Sequence, residues 1–544
     1  MFRKGRSAVL FSTVAAAAMV ALTVAPSQAQ DSKPGTLSIA FESGVQHLDP
    51  ALAYDVVGIP LVRAMFDTLV RYDENLHIVP SLATEMPTIS ADGLTYTFKL
   101  RPGVQFVQNG TALRELVADD VVYSLNRLLR PDLKPTPSPV GGAFFSVIAG
   151  SDAVLKGTAQ EASGLKAIDD HTVEITLSRP DRTFLNLLAM TFGSVVPKDK
   201  APIDGTFDTA PIGSGAYYLD SYKPDEKIVL KKNAGYWLEG YPKADAIEGR
   251  LLVTAENQVQ QIESGQLDMT GQVAIPAADY TSLSQDPAYA DQIVKTAAVS
   301  TQYLSMDTSG PDSPFKDVRV RQAVNHVIDK ANILRLANGL GEQVDCIFPP
   351  LMPGFDDTCH PYPTDLAAAQ KLMADAGMSA GFDTKLYTDT TSISQNQAQS
   401  IATDLATINI RAEVVPQDFN VLVGTITTPH AAPMVWVGWF QDYPDPSDFV
   451  DPILSCATAV AGAFNNAWFC DPAIDARAAA ARKIPTIDAA IPEYQAIQKA
   501  IMDEAPWVPV ASPLFVGLHS KRVTGFDHFD PVYTFDLASY GVGS

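Results

Sequence analysis

Cysteine, positive charge and long apolar runs are all scarce in this chain of 544 residues. There are four cysteines, no CxxC, and only one of the eight histidines, His360, adjoins a cysteine, so the ligand spacing of a structural zinc site is missing. Lys and Arg number 39 against 62 Asp and Glu, a net charge of −23. A surface this acidic repels polyanions, which excludes nucleic acid as a partner. Beyond the N-terminus no stretch approaches the roughly 20 apolar residues of a membrane span, so stable membrane insertion is not expected. Catalytic signatures are missing as well. There is no GxxxxGK[ST] phosphate loop, no GxSxG elbow and no HExxH. Gly213-Ser214-Gly215 lacks the third glycine of a dinucleotide loop, because position 218 is Tyr. Nothing in these residues points to an enzyme, and no cofactor or metal is expected.

What is present describes an exported globular protein. Hydrophobic residues make up 46% and charged residues 19%, a mix that fits neither disorder nor a fibre. The length exceeds one ordinary core, so several domains are expected. Arg3, Lys4 and Arg6 precede an apolar stretch at 8–24, and Ser27-Gln28-Ala29 offers small residues for a cut. That order is a secretory signal peptide over 1–29. No cysteine follows the apolar stretch, which argues against a lipid anchor. Without the signal, 36 bases face 62 acids, a net charge of −26. In an exported chain paired cysteines read as disulfides. Three pairings are possible; the close spacing favours Cys346 with Cys359 and Cys456 with Cys470.

Hydrophobic periodicity divides the chain further. Strands are expected at 36–41, 94–100, 173–177, 217–219, 228–230, 385–387, 411–415 and 434–437. Helices are expected at 59–69 and 121–129, and from 315 to Asn338-Gly339. Further helices are expected after Thr364 as N-cap with Leu366 inward, at 392–408 and at 487–502. Strands alternating with helices in the second half argue for an α/β lobe with parallel pairing.

The segment most suggestive of a site is WVGWFQDYPDPSDFVD at 436–451. Aromatics beside carboxylates suit a pocket with flat apolar walls and one or two charges that orient a ligand. Asp442 follows an apolar strand, where open α/β sheets place ligands, and can hold an ammonium through a charge-assisted hydrogen bond. Gln441 and Trp439 flank it and join the expected ligand contacts. Asp445, Asp448 and Asp451 are expected to cap helices or face water. The prolines break the alternation of an EF-hand loop, so calcium is not expected.

Several stretches together resemble one family. They are LDPALAYD at 48–55, LTYTFKLRPGVQF at 94–106, ADDVVYSLNR at 118–127, PIGSGAYYLDSYKPDEKIVLKKNAGYW at 211–237, FKDVRVRQAVNHVIDK at 315–330 and GWFQDYPDP at 438–446. In order and spacing they resemble the extracellular solute-binding proteins of ABC importers, family 5, over nearly all of the chain after residue 29. The resemblance implies a bilobal, hinged α/β fold of periplasmic-binding-protein type with three domains. Domain I would be 30–80, 205–297 and 515–544; the inserted domain II would be 81–204; domain III, the second lobe, would be 298–514. Chain crossings between lobes would fall at 299–302 and 509–518. The resemblance also implies a monomeric periplasmic receptor that hands its solute to an inner-membrane ABC permease, and it supports the Cys456–Cys470 pairing.

In peptide-binding members the acid matching Asp442 meets the ligand's α-amino group. The arginine that dipeptide binders use for the ligand carboxylate should lie near 387–392, and YTDTTS holds none. That departure disfavours dipeptides and leaves longer peptides, opines, oligosaccharides and other amine-bearing solutes. Metal chelates stay an alternative, although no His for nickel lies in 436–451. Tyr54 and Tyr387 are further candidate ligand contacts. Arg319 and Arg321 are expected to be solvated or paired, and His47 and His326 structural. Phe464 and Trp468, inside the second disulfide loop, either cover the pocket or pack beneath the loop. An exported hydrolase would need an activated nucleophile that the sequence does not show, and a chaperone would bind many unfolded chains loosely.

Overall fold

The computed structural model describes residues 35–73, 75–271 and 275–543. The expected signal peptide at 1–29 lies outside them.

Buried apolar side chains gather in two bodies. The largest cluster draws on residues from Leu37 to Ala298 and from Phe515 to Tyr540, with Tyr443 as its one contribution from the stretch between. Two further clusters draw only on residues between Val299 and Ala511. In the first body, strand Thr36–Ala40 lies parallel to Ala246–Arg250 and Met269–Thr270. The hairpin Tyr217–Lys223 and Lys227–Lys232 continues that sheet antiparallel. A separate antiparallel sheet pairs Thr95–Lys99 with Thr172–Thr176, and helix Ala118–Leu128 packs on it. Tyr96 and Phe98 alternate inward along the first of these strands, as a half-buried strand requires. Buried Arg127 at the end of that helix forks onto Asp49, tying this sheet-and-helix unit to the segment after the first strand.

The second body is built on strands in the order 293–297, 507–518, 300–306, 434–440, 382–389, 410–417. Only the last three pair parallel. The expected parallel lobe is therefore a mixed sheet, because Ser300–Met306 and Trp507–Leu518 enter as antiparallel neighbours. Trp507–Leu518 pairs with Ser300–Met306 through its first half and with Ile293–Ala297 through its second. These extended segments carry the chain from one body to the other.

Three helix expectations need correction. The helix expected from 59 spans Gly58–Met65 and stops at Phe66, whose backbone is extended. The apolar face read as one helix to Asn338 is two helices, Val318–Val327 and Lys330–Leu336. Asp329 breaks it, since its carboxylate accepts from Asn332 N and caps the second helix. Asp365, not Thr364, caps Leu366–Asp375, which turns Leu366 outward. Both expected disulfides, Cys346–Cys359 and Cys456–Cys470, are formed.

Candidate functional site

The site begins with strand Met434–Phe440. Met434 and Trp436 point into the helix-backed core, where Trp436 Nε1 donates to Gln397 Oε1 at 3.1 Å. Period-2 geometry sends Val435, Val437 and Trp439 to the opposite face. Val437 and Trp439 are only half-buried there, and the Trp439 ring meets Phe464 with centroids 5.9 Å apart. The resulting aromatic wall stands at the strand's C-terminal end.

The next residues form a tight carboxylate array. Asp445 caps the short turn Pro446–Phe449, accepting from Ser447 N at 3.0 Å, and Pro446 supplies the fixed φ that such a start favours. The turn aims Asp448 back at the strand. One oxygen of Asp448 accepts from Asp442 N at 2.9 Å and from Trp439 Nε1 at 3.2 Å, so this buried acid sets both the backbone of Asp442 and the tilt of the indole. Asp442 then projects toward the first body. There the Tyr54 hydroxyl donates to its carboxylate, 2.8 Å and 2.9 Å from the two oxygens.

No Lys, Arg or His among the described residues pairs with Asp442 or Asp448. Burial without a cation pushes the Asp442 carboxyl up to about 7, against the opposing pull of the Tyr54 hydrogen bond. Burial and the neighbouring Asp442 charge hold Asp448 well above the ordinary carboxylate range. The Tyr54 hydroxyl is raised by burial and by Asp442. Asp442 retains partial exposure, whereas Asp448 has none. Two adjacent carboxylates, an aromatic wall and no counter-charge among the described residues give a chemistry suited to a cationic group with an apolar neighbour.

The structure brings together Asp442, Trp439 and Tyr54. Gln441 is beside them but is spent otherwise: it is 6% exposed and its amide donates to Pro531 O at 2.9 Å. Tyr387 shares the sheet face with Trp439 but sits level with Val435, about 13 Å back along the strand. Asp445, Asp448 and Asp451 do not face water as one expectation allowed; Asp445 caps the turn, Asp448 lies buried within it and half-buried Asp451 begins the next helix. Asp451 lies 3.2 Å from Arg482 and is nevertheless raised by burial to about 6. His47 bonds Asp208, His326 bonds Pro363 O and Arg319 pairs with Asp317. Arg321 is buried on backbone carbonyls and Glu504. Trp468 packs under the disulfide loop against His430.

Sequence reasoning missed two residues. Asp448 was legible only as a helix cap. Arg182, 263 positions from its partner, gave no signal. Its guanidinium reaches Asp445 at 2.6 Å and the carbonyls of Ala481 and Ile484 at 2.9 and 3.2 Å, joining the first body to the second.

Two core bodies joined by extended strands, with a carboxylate and an aromatic wall where they meet, define a solute-binding receptor. The chain belongs to the bacterial extracellular solute-binding proteins, family 5, whose middle-region model matches residues 77–460. It is 29% identical over 93% of its length to Di/tripeptide-binding protein 2 of Pseudomonas aeruginosa, covering 95% of that protein. It is 28% identical to Heme-binding protein A of Haemophilus influenzae, over 85% of this chain and 84% of that one. Among solved structures it is similar to the ABC transporter-associated periplasmic binding protein DppA from Helicobacter pylori in complex with the peptide STSA. That match has a TM-score of 0.81 at 26% identity and covers 93% of this chain and 98% of the other.

Proposed function

We propose that the chain is a periplasmic receptor that captures an oligopeptide or similar amine-bearing solute and delivers it to an ABC permease. Residues 1–29 direct its export. Domain I at 30–80, 205–297 and 515–544, with the inserted domain at 81–204, makes one lobe, and 298–514 makes the other. The ligand touches both lobes only when they are closed, so binding shifts the population toward the closed form. The ligand's ammonium replaces or shares the Tyr54 hydroxyl at Asp442, and Trp439 covers the adjoining apolar part. The solute leaves unchanged, since nothing at the site activates a nucleophile.

The observation that carries this reading is Asp442 itself, a carboxylate at the junction of the two bodies with no cation beside it. Two relatives whose names or complexes specify peptides support the ligand class. Asp442→Ala should weaken binding of a peptide by several kcal/mol, because the ligand ammonium is then buried without its partner. Isothermal calorimetry with a tetrapeptide panel checks it; unchanged affinity across the panel removes Asp442 from the ligand site.

A further inference from the structure

A cavity is lined only by residues of the first body and its C-terminal tail; Asp442, Tyr54 and Trp439 do not line it. It encloses about 370 Å³, and the exposed residues Asp527 and His528 also line it, so it reaches the surface. Two of its lining residues have buried polar atoms without partners. Arg71 Nε is one, and the whole Arg71 guanidinium makes no hydrogen bond or ion pair among the described residues. Ser194 Oγ is the other. Unspent buried donors of this kind cost free energy unless something fills them.

The charged and amphipathic groups deepest in the cavity are largely committed. Asp67 accepts from Ser214 Oγ, Tyr236 OH and Trp237 Nε1 at 2.8, 2.9 and 3.2 Å. Arg63 is held by Asp530 at 2.5 Å and lies over the Tyr533 ring. Arg71, Asp67 and Tyr236 all line the cavity, and the Arg71 charge favours the ionised forms of the other two. The buried free capacity is a planar fork of donors with the Ser194 hydroxyl, and a carboxylate matches that fork. Asp67, Asp73, Asp527, Asp530 and Asp536 line the same space, and ionised acids there repel a dianion about twice as strongly as a monoanion. The tyrosine rings of Tyr72, Tyr236 and Tyr533 supply apolar wall for a small hydrocarbon part.

We propose that this cavity is a second binding site, for a small organic monocarboxylate held by Arg71 and Ser194. The site is independent of the peptide reading, since it shares no residue with the Asp442 site. The test uses the full mature chain, refolded free of bound solute, with benzoate, acetate and inorganic phosphate as probes. Ligand-observed NMR and calorimetry at millimolar concentration should show saturable binding of a monocarboxylate and none of phosphate. Arg71→Gln should weaken it by about tenfold or more, the loss of a bidentate charged contact. Ser194→Ala should weaken it less. Asp442→Asn should leave it unchanged even if it abolishes peptide binding, which separates the two sites. Circular dichroism melts of Arg71→Gln establish that the variant is folded. The proposal is overturned if no monocarboxylate saturates, which means a water-filled cavity, if phosphate binds as well as benzoate, or if Arg71→Gln binds like the wild type.

Discussion

At the scale of single residues, this protein is organised around carboxylates that burial keeps from ionising easily. Asp442 titrates at about 7 in the folded chain, far above the ordinary unfolded value of about 4. The folded state thus holds a proton that the unfolded state releases. Stability from this group is complete below the unfolded value and is lost as pH rises through about 7. Asp442→Asn, which cannot ionise, should raise the melting temperature at about pH 8 and change it little near pH 4. Thermal unfolding of both proteins at both pH values decides the point. Ligand binding runs the other way, because an ammonium needs the ionised acid. Peptide affinity should fall as pH drops below about 7, and calorimetry in buffers of different ionisation enthalpy should show proton release on binding. A site that costs stability where it gains function is an ordinary trade-off.

At the scale of elements, the disulfide loop and the strand depend on each other. Cys456–Cys470 closes a loop that carries Phe464 against Trp439. Asn465 pins the loop internally, donating to Ser455 O and Phe469 O. Replacing both cysteines by alanine should cost about 3 kcal/mol of stability through the freed unfolded chain. Denaturant unfolding with and without reductant measures that loss. Peptide affinity should fall too, since one wall of the site then hangs on an untethered loop. Equal affinity in the double variant would show that Phe464 does not shape the site. The same scale shows why helix limits were the least legible feature. An apolar stripe runs on through 318–336, and only the capping carboxylate of Asp329, fixed by its own contacts, divides it.

At the scale of the whole molecule, Arg182 ties the two bodies together. It is nearly buried, and it links the first body to Asp445 and to two carbonyls near the end of helix Pro472–Ala481 in the second body. Gln441 to Pro531 and Tyr54 to Asp442 are the parallel links from the other side. Losing one partner of a buried pair leaves an unpaired charge and costs about 3 kcal/mol. Arg182→Ala should therefore disfavour the joined arrangement, weaken peptide binding and enlarge the radius of gyration of the liganded protein. Arg182→Ala with Asp445→Ala should recover part of the loss, because no orphan charge remains. Small-angle scattering with calorimetry tests both, and an unaltered radius and affinity would show the contact to be passive.

Local chemistry was determined by the sequence alone. Period-2 apolar alternation produced the strands at 95–99 and 172–176, close cysteine spacing produced the two loops, and aromatics beside aspartates marked 436–451 as the candidate site. Those signals are short-range, and each residue pattern has one cheap solution. The motif order also sufficed to place the chain in its family. Tertiary structure alone decided which aspartate does what. Asp442, Asp445, Asp448 and Asp451 look alike in sequence, yet one meets Tyr54, one Arg182, one the Trp439 indole and one Arg482. Partners separated by hundreds of positions leave no periodic trace, and the burial that separates these carboxylates exists only once the two bodies meet.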